Sequence, residues 1–244
     1  MKSYIKQGDC LGLMKDIPNE SIDMILCDLP YGVTRCDWDV KIPFEPLWEQ
    51  YERIIKPNGA ICLFSQMPFT AELVQSNRKL YRYEWIYEKT SPVGFLNANR
   101  MPMKSHETIQ VFYKHLPTYN PQMTAGKKHR RGGGNRRSDC YGGFEVLPEV
   151  KSNAYYPTDI IRFSNGNRTH GHNTAKPVDL LTYLIRTYTN PGDVVLDNCM
   201  GSGSTCVAAI QTGRRYIGFE LNSDFFGTAE KRIEQAEAEN EREE

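Results

Sequence analysis

A glycine-rich turn in the last third of the chain has the composition of a ligand-binding loop. It reads Asp197-Asn198-Cys199-Met200-Gly201-Ser202-Gly203-Ser204-Thr205. Glycines at a turn let a ligand approach the backbone, and the start of a following helix offers free N–H groups. The next apolar run ends at Glu220, roughly twenty residues on, where a carboxylate can accept hydrogen bonds from ribose hydroxyls. This pairing predicts a site for a cofactor that contains adenosine.

The turn lacks the fingerprint of a dinucleotide site. Such a site reads Gly-x-Gly-x-x-Gly or Ala, whereas counting from Gly201 places Cys206 at the sixth position. The carboxylate of Asp197 would also repel a pyrophosphate, but it suits the cationic aminoacyl group of S-adenosylmethionine. The residues therefore favour a methyl donor over a nicotinamide cofactor. A tight turn between a strand and a helix, without any ligand, is the plain alternative.

A second motif, Asp28-Leu29-Pro30-Tyr31-Gly32, also comes directly after an apolar run. At the carboxyl edge of an open α/β sheet, these residues would form a compact pocket. The amino group of an aromatic base is a poor nucleophile, because its lone pair is delocalised into the ring. A carboxylate and a backbone carbonyl that accept both amino hydrogens would favour a tetrahedral nitrogen, with its lone pair directed at a methyl group. Tyr31 would stack on the base, and an ordinary Asp-initiated turn is the alternative.

A third segment, residues 126–137, is basic and rich in glycine. Its cations are Lys127, Lys128, Arg130, Arg131, Arg136 and Arg137, and it contains no acidic residue. A run of this kind is often only a solvated loop, but counterion release would favour contact with phosphates if the substrate base lies in a duplex. Side chains able to read base edges follow between residues 153 and 172, among them Asn165 and Arg168.

The runs around these motifs alternate between strand and helix patterns. Strands are predicted over residues 4–7, 22–27, 59–64, 81–89, 108–113, 193–196 and 215–219. Helices are predicted over residues 44–55, 178–188, 203–211 and 224–237, and Pro57-Asn58-Gly59 is expected to end the first. This rhythm predicts an α/β domain with a largely parallel sheet. Residues 114–172 lack apolar periodicity and are predicted to be an insert in the domain formed by residues 1–113 and 173–244.

The composition argues against several classes of protein. The chain has 244 residues, enough for one substantial core, and its 30 basic and 30 acidic residues give zero formal net charge. Seven cysteines without a Cys-x-x-Cys pair argue against a disulfide framework and a zinc cluster, so no metal is expected. No stretch has membrane-spanning length and the start of the chain lacks a signal-peptide core, so no membrane partner and a cytoplasmic location are expected.

The motifs together resemble those of a known family. Asp28-Leu29-Pro30-Tyr31 resembles the Asp-Pro-Pro-Tyr motif of amino-group DNA methyltransferases, and residues 197–205 look like their cofactor loop. The catalytic motif precedes the cofactor motif, an order similar to that of the β group, and the resemblance covers nearly the whole chain. Three further segments fit the same pattern: Gly8-Asp9-Cys10, His106-Glu107 and Lys176-Pro177. Aspartate rather than serine at position 28 resembles the adenine-directed members, whereas Leu29 departs from the usual proline.

The resemblance implies a Rossmann-like methyltransferase fold, with a seven-stranded, mostly parallel sheet and helices on both faces. It implies S-adenosylmethionine as cofactor, double-stranded DNA as partner, and methyl transfer to N6 of a flipped adenine. Asp28 and the Leu29 carbonyl would hold the amine, within a catalytic motif completed by Pro30 and Tyr31. The implied cofactor residues are Asp9, Lys176, Asp197, Met200, Gly201, Ser202, Gly203, Ser204, Thr205 and Glu220. Residues 114–172 would be the target-recognition region.

Several alternatives stay open at this point. N4 of cytosine would need the same chemistry in a smaller pocket. RNA or protein-amide methylation could use a similar pocket, and a non-catalytic DNA-binding relative could retain the basic segment. A nicotinamide-dependent oxidoreductase is disfavoured by the failed fingerprint. The recognition sequence, a homodimer and a restriction partner stay open as well.

Overall fold

The computed structural model describes residues 2–32, 39–131, 150–165 and 175–243. Of the predicted DNA contacts, Arg136, Arg137 and Arg168 lie outside these residues, and for Arg130 and Arg131 only the backbone is described. The chain divides into two compact units, Met1–Asn120 with Asp159–Glu244, and Pro121–Thr158. The smaller unit falls within the stretch predicted to be an insert.

A central sheet of eight strands organises the larger unit. With β6 and β7 in the smaller unit, its strands are β1 (Tyr4–Gln7), β2 (Ile22–Cys27), β3 (Ile55–Ser65), β4 (Tyr81–Val93), β5 (Lys104–Phe112), β8 (Ile160–Phe163), β9 (Val194–Asp197) and β10 (Arg215–Glu220). Their spatial order is β1-β10-β9-β2-β3-β5-β4-β8. Neighbours are parallel except at β5, which runs antiparallel to both β3 and β4. The predicted mostly parallel α/β sheet is confirmed.

The predicted count of seven strands is wrong by one. The additional strand is β8, which lies within residues 114–172, where the sequence shows no apolar periodicity. Ile160 and Ile161 pair in parallel with Ile86 and Tyr87 of β4. Only four residues long, β8 buries a single side chain, that of Ile161, which is too little for a recognisable apolar pattern.

Six helices lie among the described residues. They are α1 (Cys10–Leu13), α2 (Phe44–Ile54), α3 (Phe69–Ser76), α4 (Val178–Tyr188), α5 (Ser204–Gln211) and α6 (Ser223–Glu243). Along β2, Met24 and Leu26 point into a core shared with α4, α5 and α6, whereas Ile25 and Cys27 point into a core shared with α1, α2 and α3. The sheet is therefore covered on both faces, as predicted.

The junction between α2 and β3 differs from the prediction. Pro57-Asn58-Gly59 was expected to end the helix, but α2 ends at Ile54 and β3 begins at Ile55. The register between β2 and β3 shifts between Ile22 and Met24, so the proline falls in an irregular stretch of the ladder. A missing N–H is tolerated at such an irregularity.

The smaller unit, considered by itself, contains a two-stranded antiparallel ribbon. It consists of β6 (Thr124–Arg131) and β7 (Val150–Tyr155). The imidazole of His129 stacks on the ring of Tyr155, with centroids 4.2 Å apart. A Cβ at Gly126 would collide with Cε2 of that ring, so any other residue there would displace the ring. These two strands lie in the predicted insert, where the sequence analysis identified no strand.

Two further findings concern membranes and metals. Within the described ranges, no helix is both long and apolar enough to cross a membrane. In the same ranges, histidine, cysteine, aspartate and glutamate side chains do not cluster in groups of three or more that could hold a metal ion.

Candidate active site

One cavity of about 880 Å³ opens at the carboxyl ends of β2, β9 and β10. Ligands bind at this edge in open α/β sheets. The lining contains the whole predicted catalytic motif, Asp28, Leu29, Pro30 and Tyr31. It also contains the predicted cofactor residues Asp9, Lys176, Asp197, Met200, Gly201, Ser202, Ser204, Thr205 and Glu220. The fold thus brings two motifs from opposite ends of the chain into one site.

Asp28 directly follows β2 and is held by its neighbour in the motif. The hydroxyl of Tyr31 donates a hydrogen bond to Oδ1 of Asp28 over 2.7 Å. Burial and the nearby Asp28 carboxylate raise the pKa of Tyr31 well above its usual value, so this hydroxyl stays a donor. The Tyr31 ring stacks on Phe69 at the start of α3, with centroids 4.9 Å apart. The aromatic ring and the carboxylate are therefore fixed relative to each other.

Lys176 connects Asp28 to a second carboxylate. Its ammonium lies 2.5 Å from Oδ2 of Asp28 and 3.1 Å from Oε2 of Glu107 on β5. The ammonium of Lys89 on β4 lies 2.5 Å from Oε1 of the same glutamate. These four side chains form a row of alternating charge along the cavity wall.

Burial and charge act in opposite directions in this row. Burial alone would lower the pKa of Lys176, but the carboxylates of Asp28 and Glu107 raise it above its usual value. Burial alone would raise the pKa of Glu107, but the ammonium groups of Lys176 and Lys89 lower it to about 2. Lys176 is consequently a permanent cation and Glu107 a permanent anion at neutral pH.

The glycine-rich turn is fastened to the end of β10. Oε2 of Glu220 accepts the backbone N–H of Gly201 over 2.9 Å, and Oε1 accepts that of Asn222 over 2.8 Å. Gly201 has a φ of +52°, which favours glycine. Both oxygens of Glu220 thus position backbone, and the residue also lines the cavity.

Gly203 belongs to the same turn but lies outside the cavity lining. Its φ is +78°, and a Cβ there would lie 3.0 Å from Cβ of Ala229 on α6. The glycine thus allows the start of α5 to approach α6 closely. On this geometry its contribution to the site is indirect.

Asp197, the last residue of β9, is buried at the cavity wall. Burial raises the pKa of its carboxyl to about 6, although hydrogen bonds from Thr205 and from the backbone N–H of Cys199 partly oppose this shift. Asp9, also in the lining, caps α1 by accepting the N–H of Gly12 over 3.1 Å. Asp197 and Asp9 thus add their carboxylates to those of Asp28, Glu107 and Glu220 in the cavity lining.

Comparison with known proteins identifies the family of this site. A family model described as DNA methylase, with a name that covers N6 and N4 methyltransferases, matches residues 22–231. The chain belongs to the DNA methylase family. The predicted membership in the amino-group DNA methyltransferases is thereby confirmed, and a nicotinamide-dependent oxidoreductase is excluded.

Individual relatives agree with this DNA methylase assignment. The chain is 27% identical to the DNA adenine methyltransferase YhdJ of Escherichia coli strain K12, over 95% of this chain and 83% of the relative. In structure it is similar to the M1.HpyAVI–SAM complex, with a TM-score of 0.64, 21% identity and coverage of 93% and 98% of the two chains. It is also similar to the cytosine-N4-specific PvuII DNA methyltransferase, with a TM-score of 0.69, 16% identity and coverage of 99% and 92%. The two structural likenesses confirm the predicted methyltransferase fold.

The predicted DNA contacts of this DNA methylase fall in different places. Lys127 and Lys128 are exposed on β6 of the ribbon. Asn165 lines the cavity, and its side chain binds the backbone of Ser91, donating to the carbonyl over 2.9 Å and accepting the N–H over 3.3 Å. Lys151 on β7, opposite Arg130, adds an exposed cation that the sequence did not single out.

Three further residues of the site have no role that sequence reasoning assigned. Glu107 belongs to the family-like segment His106-Glu107, and neither Lys89 nor Phe69 falls in a motif. Lys89 and Glu107 lie on β4 and β5, which are antiparallel neighbours with Tyr87 opposite Glu107. The ion pair between Lys89 and Glu107 could have been predicted only with the register of β4 and β5, which places the two side chains on the same face of the hairpin.

Proposed function

We propose that this DNA methylase transfers a methyl group from S-adenosylmethionine to N6 of adenine in double-stranded DNA. The observation that carries the proposal is the location of Asp28, held by Tyr31 and Lys176, in one cavity with the glycine-rich turn and Asp197. The adenine methyltransferase YhdJ supports adenine as the target base. Aspartate at position 28 supports the same choice.

The cavity has a donor and acceptor set that fits S-adenosylmethionine. The turn at Gly201 leaves backbone accessible, and Glu220 lies beside it with a carboxylate suited to ribose hydroxyls. The buried Asp197 carboxylate suits the cationic aminoacyl group, and Asp9 also lies in the lining. When bound, this cofactor supplies an electrophilic methyl group on a sulfonium.

The chain's own residues prepare the target amine. A carboxylate has about four lone-pair sites, so Asp28 can accept an amino hydrogen while it keeps its bonds to Tyr31 and Lys176. Withdrawal of the amino hydrogens from the plane of the base localises the nitrogen lone pair. Asp28, as the proposed acceptor of the amino hydrogen, can also take the proton that the nitrogen must lose. Lys176 fixes its orientation and balances its charge.

DNA binding is assigned to the basic ribbon. Lys127, Lys128 and Lys151 are exposed there, and Arg130 and Arg131 continue the same strand. Phosphate neutralisation by such cations provides binding that does not depend on sequence. Residues 114–172 are proposed to include the target-recognition region. We also propose a cytoplasmic location, which agrees with a double-stranded DNA substrate.

The experiment that tests the proposal measures methyl incorporation from labelled S-adenosylmethionine. Wild type and Asp28→Ala are each incubated with unmethylated plasmid DNA, total RNA and a protein extract. The proposal predicts label in duplex DNA for the wild type, at least a hundredfold less for Asp28→Ala, and cofactor binding retained by both in calorimetry. Label confined to RNA or protein would contradict it, and near-wild-type turnover by the variant would remove Asp28 from its role.

A further inference from the structure

The loop of residues 94–103 stands at the rim of the cavity. It connects β4 to β5, whose last pair is Val93 with Lys104. Val93 lines the cavity, and the ammonium of Lys104 donates to Gln66, another lining residue, over 3.0 Å. The loop is thus attached to the cavity wall at both of its ends.

The loop also projects well beyond the rest of the sheet. The last pair between β3 and β5 is Ser65 with Thr108, and Thr108 is in turn paired with Ile86 of β4. From Ile86, β4 continues to Val93, which at about 3.3 Å per residue adds roughly 20 Å. The hairpin therefore extends beyond the carboxyl end of β3, at the edge of the sheet where the cavity opens.

The tip of the loop exposes large apolar side chains. Phe95 is 77% exposed, Leu96 is 97% exposed and Met101 is 54% exposed. The tip nevertheless has a defined backbone, because the N–H of Asn97 binds the carbonyl of Gly94 over 3.0 Å and that of Met101 binds Asn97 over 3.0 Å. Apolar side chains held out into water by an ordered turn contribute nothing to the core.

The charge around the tip has one sign. Arg100 is exposed within the loop, Lys104 lies at its base, and no acidic residue occurs between Lys89 and His106. A polyanion is therefore the surface that this charge pattern favours.

We infer that Phe95 and Leu96 form a wedge that enters the base stack of the duplex and occupies the space left by the extruded target base. This inference rests on the proposed function, because a base buried in a duplex must be flipped before it can reach Asp28. Proteins that kink DNA insert phenylalanine, leucine, methionine or proline between base steps, and cations beside the wedge bind the flanking phosphates. In this chain the apolar tip, the cations and the cavity rim occur together on one hairpin.

A second copy of the chain is a less suitable partner for this tip. Three side chains cover a few hundred Å² at most, whereas a stable protein interface buries about 800 Å² on each partner. Arg100 facing its own counterpart across a two-fold axis would add repulsion. The duplex requires only the insertion of one or two side chains.

The test compares the double variant Phe95→Ala/Leu96→Ala with Leu116→Ala. Leu116 is equally apolar and 78% exposed. It follows His115, whose backbone N–H donates to the carbonyl of Pro57 near the amino end of β3. Leu116 therefore lies near the amino-end edge of the sheet, whereas the cavity opens at the carboxyl-end edge. The target sequence is first mapped on plasmid DNA methylated by the wild type. Turnover is then measured on two synthetic duplexes, one fully paired and one with an abasic site opposite the target adenine, which lowers the cost of extrusion.

The wedge predicts that the double variant loses at least tenfold in turnover on the paired duplex but remains within about threefold of wild type on the abasic duplex. Leu116→Ala should match the wild type on both. With 2-aminopurine at the target position, the double variant should also show a reduced fluorescence increase. Equal losses of turnover on both duplexes, or no loss on either, would overturn the wedge but leave the proposed function standing. A dimer that dissociates on substitution, together with equal losses, would assign the tip to self-association. A wild type that methylates no DNA would overturn the proposed function first.

Discussion

The ammonium of Lys176 lies 2.5 Å from Oδ2 of Asp28, although 148 positions separate the two residues in the chain. Lys176 was expected at the cofactor site on the basis of resemblance alone. In the structure it contacts the carboxylate that is proposed to hold the target amine, and it bridges to Glu107 as well. The lysine therefore connects the catalytic motif with the sheet behind it.

Removal of this cation should destabilise the protein. Lys176→Met leaves two carboxylates without their shared partner, and breaking such a buried pair costs about 3–5 kcal/mol. The lower end of this range is expected, because the side chain of Asp28 is 31% exposed. Urea denaturation measures the free energy of unfolding directly.

A second substitution provides the control for that measurement. Lys176→Met/Asp28→Asn removes the carboxylate that has lost its cationic partner, because Glu107 keeps its ion pair with Lys89, so this double variant should regain part of the stability that the single variant loses. Unchanged stability of the single variant would mean that the row of alternating charge contributes nothing to the fold.

The Asp197 carboxyl should make stability depend on pH. Its folded pKa of about 6 exceeds the usual 3.8, so between these values the folded protein holds a proton that the unfolded chain has released. The contribution of this proton to the free energy of unfolding is fully present below about pH 4. It declines as the pH rises to 6 and does not change further above that pH. The total change is about 3 kcal/mol. Asp197→Asn should lack this component in unfolding experiments at pH 4 to 7, and a variant with the wild-type profile would contradict the shift.

The same group should make cofactor affinity depend on pH in the opposite direction. If the Asp197 carboxylate holds the aminoacyl ammonium of S-adenosylmethionine, protonation below pH 6 removes the attraction. Affinity measured by calorimetry should then fall up to tenfold for each pH unit below 6. Asp197→Asn should bind weakly and without this dependence. A pH-independent wild type would place the aminoacyl group elsewhere.

The basic ribbon should determine the salt dependence of DNA binding. Lys127→Gln/Lys128→Gln should weaken binding to any duplex and lower the slope of log K against log salt by about 0.9 for each phosphate that is no longer neutralised. Lys15→Gln/Lys231→Gln is the matched control, since both lysines are exposed in the larger unit. Fluorescence anisotropy at several salt concentrations gives both slopes, and equal slopes would mean that the ribbon does not bind phosphate.

Local sequence patterns located much of the site because its motifs follow strands directly. Asp28 directly follows β2 and Asp197 is the last residue of β9, and parallel strands present their carboxyl ends at one edge. The cavity could therefore be predicted before any coordinates. The Lys176 contact could not, because a distance across 148 positions depends on the packing of every element between them.

The ribbon escaped prediction for a different reason. A two-stranded ribbon buries little, so β6 can end in a run of lysine, histidine and arginine after Thr124, Ala125 and Gly126, without apolar alternation. The exposed tip at Phe95 and Leu96 escaped prediction because those residues follow a strand as ordinary apolar residues do. Only the exposure of their side chains distinguishes them from core residues.

The identity of the modified nucleoside tests the central claim most directly. Unmethylated duplex DNA of mixed sequence is incubated with the enzyme and S-adenosylmethionine carrying a deuterated methyl group, then digested and analysed by mass spectrometry. We expect deuterated N6-methyladenine in the wild-type sample and none with Asp28→Ala. Deuterated N4-methylcytosine in place of N6-methyladenine, or the absence of any deuterated nucleoside, would contradict the account.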